Sequence, residues 1–463
     1  MLFYILQAKI DLIMGFKNQH KITISLQLVG DVTIFYVSLW ISVFLRLLRP
    51  VSFTTYVDLS LPYLAIFILW LVVFMIIGLY ERSVITNTHE IATNVIRAQL
   101  INGVIAIIFF YFLNTTDQTS RSVLLLELIT STFFLILWRT VLHLRSKRQN
   151  KYPTIIFSDE DVPKELESAL SSKEANHPFK LLFRIGKKDI KNNANLLNKI
   201  RENKVKFIIV DINDVGFQKD YSLINDLISE GVKIYDMRDV YEALFQCVPH
   251  SLFNYHWYIN RINPHEKFAY QIMKRFTDFF TALIGIIVSL PFYPLIALAI
   301  KLEDSGPVFI KQTRIGKNIK EFTSYKFRTM RRNEDGVWLA ESDNQVTKVG
   351  KLLRRTRLDE LPQLFSVLVG RMSLIGPRPD MAGLEKRLSK EIAYYRLRSL
   401  IKPGLSGWAV IKQAYIPQSV EETKYRLGYD LYYIKNQSTA LDLKILLQTI
   451  KAVIGGIWHK SRL

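Results

Sequence analysis

Two adjacent carboxylates, Asp359 and Glu360, stand at the centre of the stretch LLRRTRLDELPQLFSVLVGRMSLIGPRPD (Leu352–Asp380). Arg354, Arg355 and Arg357 precede them and an apolar run follows. Pro362 suits the first turn of a helix, where a missing N–H costs little, and Gly370 suits its end. The acid pair is therefore expected at a helix N-terminus, where unpaired N–H groups and the macrodipole favour negative charge. Such a setting lowers a carboxylate's pKa and keeps it ionised, as a nucleophile or a metal ligand must be. The plainer reading makes Asp359 a helix cap and the arginines a solvated face; this stretch alone leaves both open. Arg378, fixed between Pro377 and Pro379, suits a rigid bidentate clamp on phosphate or on a base better than an ordinary turn position.

The elements that must position these groups belong to a long, basic, apolar chain. Its 463 residues are 49% hydrophobic and carry a net charge of +20, enough chain for two or three domains. Basic charge alone would suggest nucleic acid, but no binding module or aromatic stacking pattern is present, and nucleic acid is not an expected partner. The apolar residues cluster instead in four runs, 22–48, 60–80, 95–113 and 122–143, each about the ~20 residues that a bilayer core demands of a helix. Asp31 and Glu127 within them must face the bundle or lie near an end. The basic linker HLRSKRQNK (His143–Lys151) marks a cytosolic exit. Lys9, Lys17 and Lys21 agree with a cytosolic N-terminus, while Arg46 and Arg49 run mildly against it. The single cysteine, Cys247, excludes an intrachain disulfide and is expected to be a buried small residue. The eight histidines show no metal-ligand spacing.

From 153 to 262 short apolar strands (154–157, 179–183, 207–210, 232–235) alternate with helical stretches (162–172, 193–202, 221–228). That alternation predicts a small parallel α/β sheet of Rossmann-like type. The turn after its first strand, Ser158-Asp159-Glu160-Asp161, is acidic and lacks glycine. With no GxGxxG and no P-loop, a structural or regulatory module is favoured over a nucleotide site. Next comes FFTALIGIIVSLPFYPLIALAI (Phe279–Ile300), uncharged but interrupted by Pro291 and Pro294, which break and bend a helix. Its flanks are both basic, Lys274 and Arg275 before, Lys301, Lys311, Arg314 and Lys317 after. A proline-broken hairpin that enters and leaves one leaflet fits both facts; a kinked fifth span would strand the C-terminal charge outside the cell. The remainder is polar and basic, with β-prone pieces at Ser305–Asn318 and Glu321–Met330 carrying Lys311, Arg314, Lys326 and Arg328. Trp408 in its glycine-proline loop reads either as a core plug or as an interfacial anchor.

Seven motifs in order, KRFTDF (274–279), GPVFIKQTRIGKN (306–318), YKFRTM (325–330), RLDELPQLF (357–365), GRMSLIGPRPD (370–380), KPGLSGWAV (402–410) and YDLYYIKN (429–436), resemble the bacterial sugar transferase family. These are the polyprenyl-phosphate sugar-1-phosphate transferases, or monotopic phosphoglycosyl transferases, and the likeness covers Phe268–Gly456. The preceding spans and module resemble the long members, such as undecaprenyl-phosphate glucose or galactose phosphotransferases. The resemblance implies four transmembrane helices in 1–150, a Rossmann-like cytosolic module without phosphate loop in 151–262, and a mixed α/β catalytic domain in 263–463 with a re-entrant helix at 276–301. It implies a UDP-sugar donor, an undecaprenyl-phosphate acceptor, Mg²⁺, and an active site on the cytosolic face of the bacterial inner membrane. Asp359 would attack the donor's sugar-bearing phosphorus, releasing UMP; Glu360 would hold Mg²⁺; Lys326 and Arg354 would contact phosphates, and Arg378 the uridine side. Asp430 falls where the family has a functional acid. Two departures stand out: Leu290 with Ser289 replaces the Ser-Pro common at the hairpin break, and Gln345 stands where arginine is common.

The reading is thus a membrane-bound enzyme that starts a lipid-linked glycan for exopolysaccharide, capsule or O-antigen, with the bundle and the α/β module offering homodimer surfaces. The alternative from another class is a non-catalytic membrane scaffold or regulator whose basic domain binds lipid headgroups; a lipid-binding face has no need of the Asp359–Glu360 pair. Within the enzyme class, direct glycosyl transfer would leave UDP instead of UMP.

Overall fold

The computed structural model describes residues 2–48, 52–80, 88–112, 118–147, 151–158, 162–172, 177, 179–186, 193–211, 221–250, 268–303, 306–330, 346–413 and 415–454. Asp159, Glu160, Asp161, Arg49, Gln345 and the boundary at 262/263 lie outside the described residues, as do the side chains of Lys9, Lys17 and Lys21. The chain forms two compact units, 1–244 and 245–463.

The first unit begins with α1 (Leu2–Leu47), α2 (Phe53–Ile77), α3 (Thr88–Phe112) and α4 (Gln118–Lys147). Their apolar stretches, Ile24–Leu47, Ser60–Ile77, Ile91–Tyr111 and Ser122–Arg145, are long enough to cross a membrane. They fall where the hydrophobic runs predict them. Phe35, Leu39, Trp70 and Phe74 fill the interior, with Phe35 and Phe67 stacked at 5.1 Å. Leu100, Ile107, Leu125 and Phe133 stay exposed on the outside, as a lipid-facing surface requires. Both acidic residues within the runs turn inward. Asp31 is fully buried, accepts from Arg139 at 2.5 Å and from the Tyr80 hydroxyl at 2.7 Å, and Glu127 is likewise buried.

A parallel sheet follows, built from β1 (Tyr152–Phe157), β2 (Phe179–Ile185), β3 (Phe207–Val210) and β4 (Lys233–Asp236) in the order β2-β1-β3-β4. Between and after the strands lie α5 (Lys164–Ser171), α6 (Asn193–Glu202), α7 (Tyr221–Ser229) and α8 (Met237–Phe245). Ile155, Phe157, Ile208, Val210 and Ile234 are buried with Leu196, Ile200 and Leu227 of the helices. Near-continuous apolar strands are what a parallel sheet covered by helices needs.

The second unit opens with α9 (Phe268–Ser289) and α10 (Phe292–Glu303), bent by 58° at the Leu290–Pro291 break. Pro294 sits in the first turn of α10, where proline is tolerated, so Pro291 alone marks the break. The Ser289 hydroxyl donates to Ile286 O at 3.2 Å. Next come an antiparallel hairpin of β5 (Phe309–Ile315) and β6 (Glu321–Phe327), then α11 (Lys348–Thr356), α12 (Gln363–Val369) and β7 (Ser373–Ile375). After these follow α13 (Ala382–Glu391), β8 (Gly404–Ser406), α14 (Trp408–Lys412), α15 (Val420–Asn436) and α16 (Thr439–Ile454). The core of this unit gathers Ile375, Leu388, Tyr395, Trp408, Leu431, Tyr433 and Ile445. Trp408 is a core plug, 1% exposed, with its indole N–H donating to Gln246 O at 2.9 Å. Cys247 is buried.

Glycines in the two proline-flanked motifs serve a close approach of backbones. β7 and β8 pair in parallel, and Gly376 N donates to Ser406 O while Gly404 N donates to Pro377 O, both at 2.9 Å. A Cβ on Gly404 would stand 2.1 Å from Gly376 N, and one on Gly407 2.1 Å from Gly376 O. These partners are main chain and cannot rotate away, so only glycine lets the strand before Arg378 lie against β8. Gly404→Ala should therefore lower stability by about 2 kcal/mol or more, read as a drop in thermal midpoint of the detergent-solubilised full chain.

Candidate active site

The acid pair sits on a sharp turn whose ends are fixed by local rules. Thr347 caps α11, its hydroxyl oxygen accepting from Gly350 N at 2.9 Å. The helix ends at Arg357, which takes the left-handed conformation (φ 58°), a geometry that costs an L-residue about 1–2 kcal/mol. A 3-10 turn, Leu358–Glu360, carries the two carboxylates directly into Pro362 and α12. Gly370, at φ 90°, closes α12. The expected helix N-terminus is thus present, with the pair one turn ahead of it.

Around Glu360 three cations from three segments converge. Its Oε1 accepts from Arg378 Nη2 at 2.5 Å, from Lys326 Nζ at 2.9 Å and from Arg357 Nη1 at 3.4 Å, while Oε2 accepts from Arg378 Nη1 at 3.5 Å. Glu360 and Asp359 are both buried, at 6% and 7% exposure. Asp359 Oδ1, by contrast, is buried with no hydrogen-bond partner. Burial alone would raise the pKa of Glu360, but Arg378, then Lys326 and Arg357, hold it well below the ordinary glutamate range. Asp359 moves the other way: burial, then the neighbouring Glu360 charge, push it up, and the three cations offset this only in part. Two carboxylates one residue apart therefore differ in kind, one tied and ionised, the other untied and raised. Burial also lowers the Lys326 ammonium, with Glu360 opposing the shift.

Arg378 is itself held from behind. Its carbonyl accepts from Arg398 Nη2 at 2.8 Å and from Arg426 Nη2 at 3.1 Å. Pro379 O accepts from Arg314 Nη1 at 2.8 Å, and Asp380 O from Ile315 N at 3.0 Å. Three guanidiniums and one strand N–H thus fix three successive carbonyls. Asp380 and Asp430 balance the charge: both pair with Arg398, Asp430 at 2.9 Å, and the Tyr395 hydroxyl donates to Asp380 at 2.5 Å. Burial lowers Arg398 and Arg314, each to about 10.

Of the residues singled out in the sequence, Asp359, Glu360, Lys326 and Arg378 come together. Arg354 lies one turn earlier and directs its Nε to Thr329 Oγ1 at 3.0 Å. Asp430 is 1% exposed and its carboxylate is taken up by Arg398, so it stands behind the Arg378 loop, where the expectation was a contact with substrate. Pro291 stands at the bend of the hairpin and Pro294 in the first turn of α10. Arg357, Arg314, Arg398, Arg426, Asp380 and Tyr395 had been given no role. Arg357 could have been found from its place beside the acids; Arg398 and Arg426 sit in unremarkable contexts, and only the fold brings them to Arg378. Among the described residues no group of three or more His, Cys, Asp or Glu could hold a metal ion. The carboxylate pair, with Asp359 Oδ1 lacking a partner, fits a divalent cation only if other oxygens come from a ligand or water.

Comparison with known proteins places these residues in a shared segment. A family model described as bacterial sugar transferase matches residues 269–456, and one described as CoA-binding domain matches 55–210. The UDP-N-acetylgalactosamine-undecaprenyl-phosphate N-acetylgalactosaminephosphotransferase of Aeromonas hydrophila is 42% identical over 190 residues, covering 40% of this chain and 45% of that protein. The exopolysaccharide production protein PSS of Rhizobium leguminosarum bv. phaseoli is 39% identical over 187 residues, 39% of this chain and 94% of that protein. The UDP-glucose:undecaprenyl-phosphate glucose-1-phosphate transferase of Escherichia coli (strain K12) is 40% identical over 184 residues, 39% of this chain and 40% of that protein. The matched segment thus spans less than half of the Aeromonas and Escherichia proteins and nearly all of the Rhizobium one.

The buried Arg398 cluster makes its own prediction. Arg398→Ala leaves Asp380 and Asp430 buried without their shared cation, a loss expected to cost about 3–5 kcal/mol. Thermal unfolding of the solubilised chain should show it as a large fall in midpoint, with Arg398→Lys intermediate because it keeps the charge but loses the fork.

Proposed function

The chain belongs to the bacterial sugar transferase family, and on that premise we propose that it transfers a sugar-1-phosphate from a UDP-sugar to undecaprenyl phosphate, releasing UMP. The observation that carries this reading is the split acid pair. Asp359 has a buried oxygen with no partner, while its neighbour Glu360 gathers Arg378, Lys326 and Arg357. A nucleophile needs a lone pair free to attack, and a diphosphate needs cations to receive its charge; the two requirements meet within one turn.

In the first step Asp359 Oδ1 attacks the sugar-bearing phosphorus of the donor. The bond from that phosphorus to the bridging oxygen breaks, and UMP leaves with the electron pair. The phosphosugar remains on the carboxylate as an acyl phosphate, itself a good donor. In the second step a phosphate oxygen of undecaprenyl phosphate attacks the same phosphorus and the aspartyl oxygen departs, restoring the carboxylate. Lys326 and Arg357 receive phosphate charge, and the Arg378 fork, fixed through its own carbonyl, orients the uridine-bearing end. Glu360 and Asp359 would hold Mg²⁺ together with donor oxygens, and the ion would neutralise diphosphate charge.

The hairpin of α9 and α10 supports a re-entrant membrane helix. Its two ends are bonded to the same polar domain. Lys274 pairs with Asp442 at 2.9 Å, and Arg275 donates to Val367 O and Leu368 O at the end of α12. At the other end Glu303 accepts from Lys348 N at 2.6 Å and Val349 N at 2.8 Å, at the start of α11. The 12 residues of α10 rise about 18 Å, too short for a core of about 30 Å. A break at Pro291 that turns the chain back within one leaflet satisfies both observations. With four spans before it, the catalytic domain lies on the cytosolic face of the inner membrane, and the α/β sheet is read as a Rossmann-like structural or regulatory module. The glycan started there belongs to exopolysaccharide, capsule or O-antigen assembly.

Asp359→Asn should lose UMP release by about 10³-fold or more. Wild-type enzyme quenched with a UDP-sugar but no lipid should carry a phosphosugar on the peptide containing Asp359, detected by mass spectrometry. Product formation with that peptide unmodified at every time point would rule out the covalent route. UMP release should also fall toward acid pH along a limb lying above the ordinary aspartate value of 3.8, because Asp359 must be ionised to attack and its pKa is raised. In Glu360→Gln whatever UMP release remains should show that limb at lower pH, since the neighbouring negative charge is gone and the cations turn to Asp359.

A further inference from the structure

We propose that the acid pair offers no metal site of its own, because Glu360 is withheld by Arg378, Lys326 and Arg357 until a diphosphate draws those cations away. The inference deepens the transferase reading and rests on it for the identity of the diphosphate. Its basis is geometric. All three cations bond Glu360 Oε1, and Arg378 Nη1 also lies 3.5 Å from Oε2, so three positive charges already surround the carboxylate that a metal would need. Counting charge, three cations face two carboxylates, and a divalent ion entering alone meets an excess of positive charge in a buried setting. Asp359 Oδ1 is buried with no hydrogen-bond partner, and one carboxylate by itself does not make a magnesium site. No further acid or histidine closes the shell among the described residues.

A diphosphate changes each of these terms. It brings at least two negative charges, and its paired oxygens match the guanidinium fork now spent on Glu360. When Arg378 and Lys326 turn to phosphate, Glu360 is released, and the donor supplies the remaining hard oxygens. Metal and donor then enter as a mutually dependent pair. The less obvious consequence is that removing a cation which helps to bind donor should strengthen the binding of metal alone.

The test uses Mn²⁺ as probe, followed by its electron paramagnetic resonance signal, with the full chain in detergent and no nucleotide. Arg378→Gln should bind Mn²⁺ at least about tenfold more tightly than wild type, since a full like charge beside the ligand is gone. Glu360→Gln in that background should abolish the gain. Lys326→Gln should show the same direction and stands in should Arg378→Gln not fold. Adding UDP to the wild type should recruit Mn²⁺ beyond a protein-free UDP control. Wild type binding Mn²⁺ as tightly as both single variants, no gain in either variant, or a gain that survives Glu360→Gln would each overturn the proposal. UMP release from a panel of UDP-sugars, measured on the same wild-type preparation, reports separately on the transferase reading: its absence would sink that reading whatever the metal does.

Discussion

The carboxylate of Glu360, taken up at once by Arg378, Lys326 and Arg357, is the interaction on which the second unit depends. Each cation arrives from a different segment: β6, the turn after α11, and the loop after β7. A single buried acceptor therefore draws together three pieces that lie apart in the sequence. A buried charge without such partners would be too costly to keep. The surrounding structure serves the same end. The hairpin β5–β6 presents Lys326, and the glycine-lined contact of β7 with β8 presents Arg378. Arg314, Arg398 and Arg426 then lock the carbonyls behind it.

The membrane enters this arrangement through the ends of a bent helix. Arg275 on α9 caps the carbonyls that close α12, and Glu303 at the end of α10 caps the N–H groups that open α11. α11 and α12 flank the acid pair on either side. Asp278 on α9 adds a third tie, accepting from Leu374 N at 3.0 Å in β7, the strand that leads to Arg378. Helix ends carry unpaired backbone groups that something must satisfy. Here the apolar hairpin satisfies four of them, two carbonyls that close α12 and two N–H groups that open α11. In the proposed re-entrant setting, the depth at which the hairpin sits also sets the height of the acid pair above the lipid, where a polyprenyl phosphate presents its headgroup.

Much of this was legible in the residues. Apolar runs of sufficient length located the four spans, strand–helix alternation located the parallel sheet, and Pro362 with Gly370 bracketed α12. The direction of Asp359's shift was not legible. A helix N-terminus argues for a lowered pKa, but burial and the adjacent charge are tertiary facts, and they win. The surroundings of Asp430 were not legible for a related reason: sequence order places an acid near a motif, but only the packing of α15 shows its carboxylate bonded to Arg398. Arg398 and Arg426 bond a main-chain carbonyl, an acceptor present at every residue, so no pattern of side chains could have announced them.

That two neighbouring acids end in opposite states follows from where the turn points them. Glu360 is aimed at the cations and becomes a fixed negative charge; Asp359, one residue earlier, keeps an oxygen that nothing bonds. Had both been paired, the site would attack poorly, with both carboxylates engaged. Had neither been paired, two like charges in a buried turn would have driven one to take up a proton. Concentrating the cations on one member keeps Glu360 ionised and leaves an oxygen of Asp359 free to react. In the proposed transfer the left-handed Arg357, strained by about 1–2 kcal/mol, is what separates the two roles, because it both turns the chain toward the cations and supplies one of them.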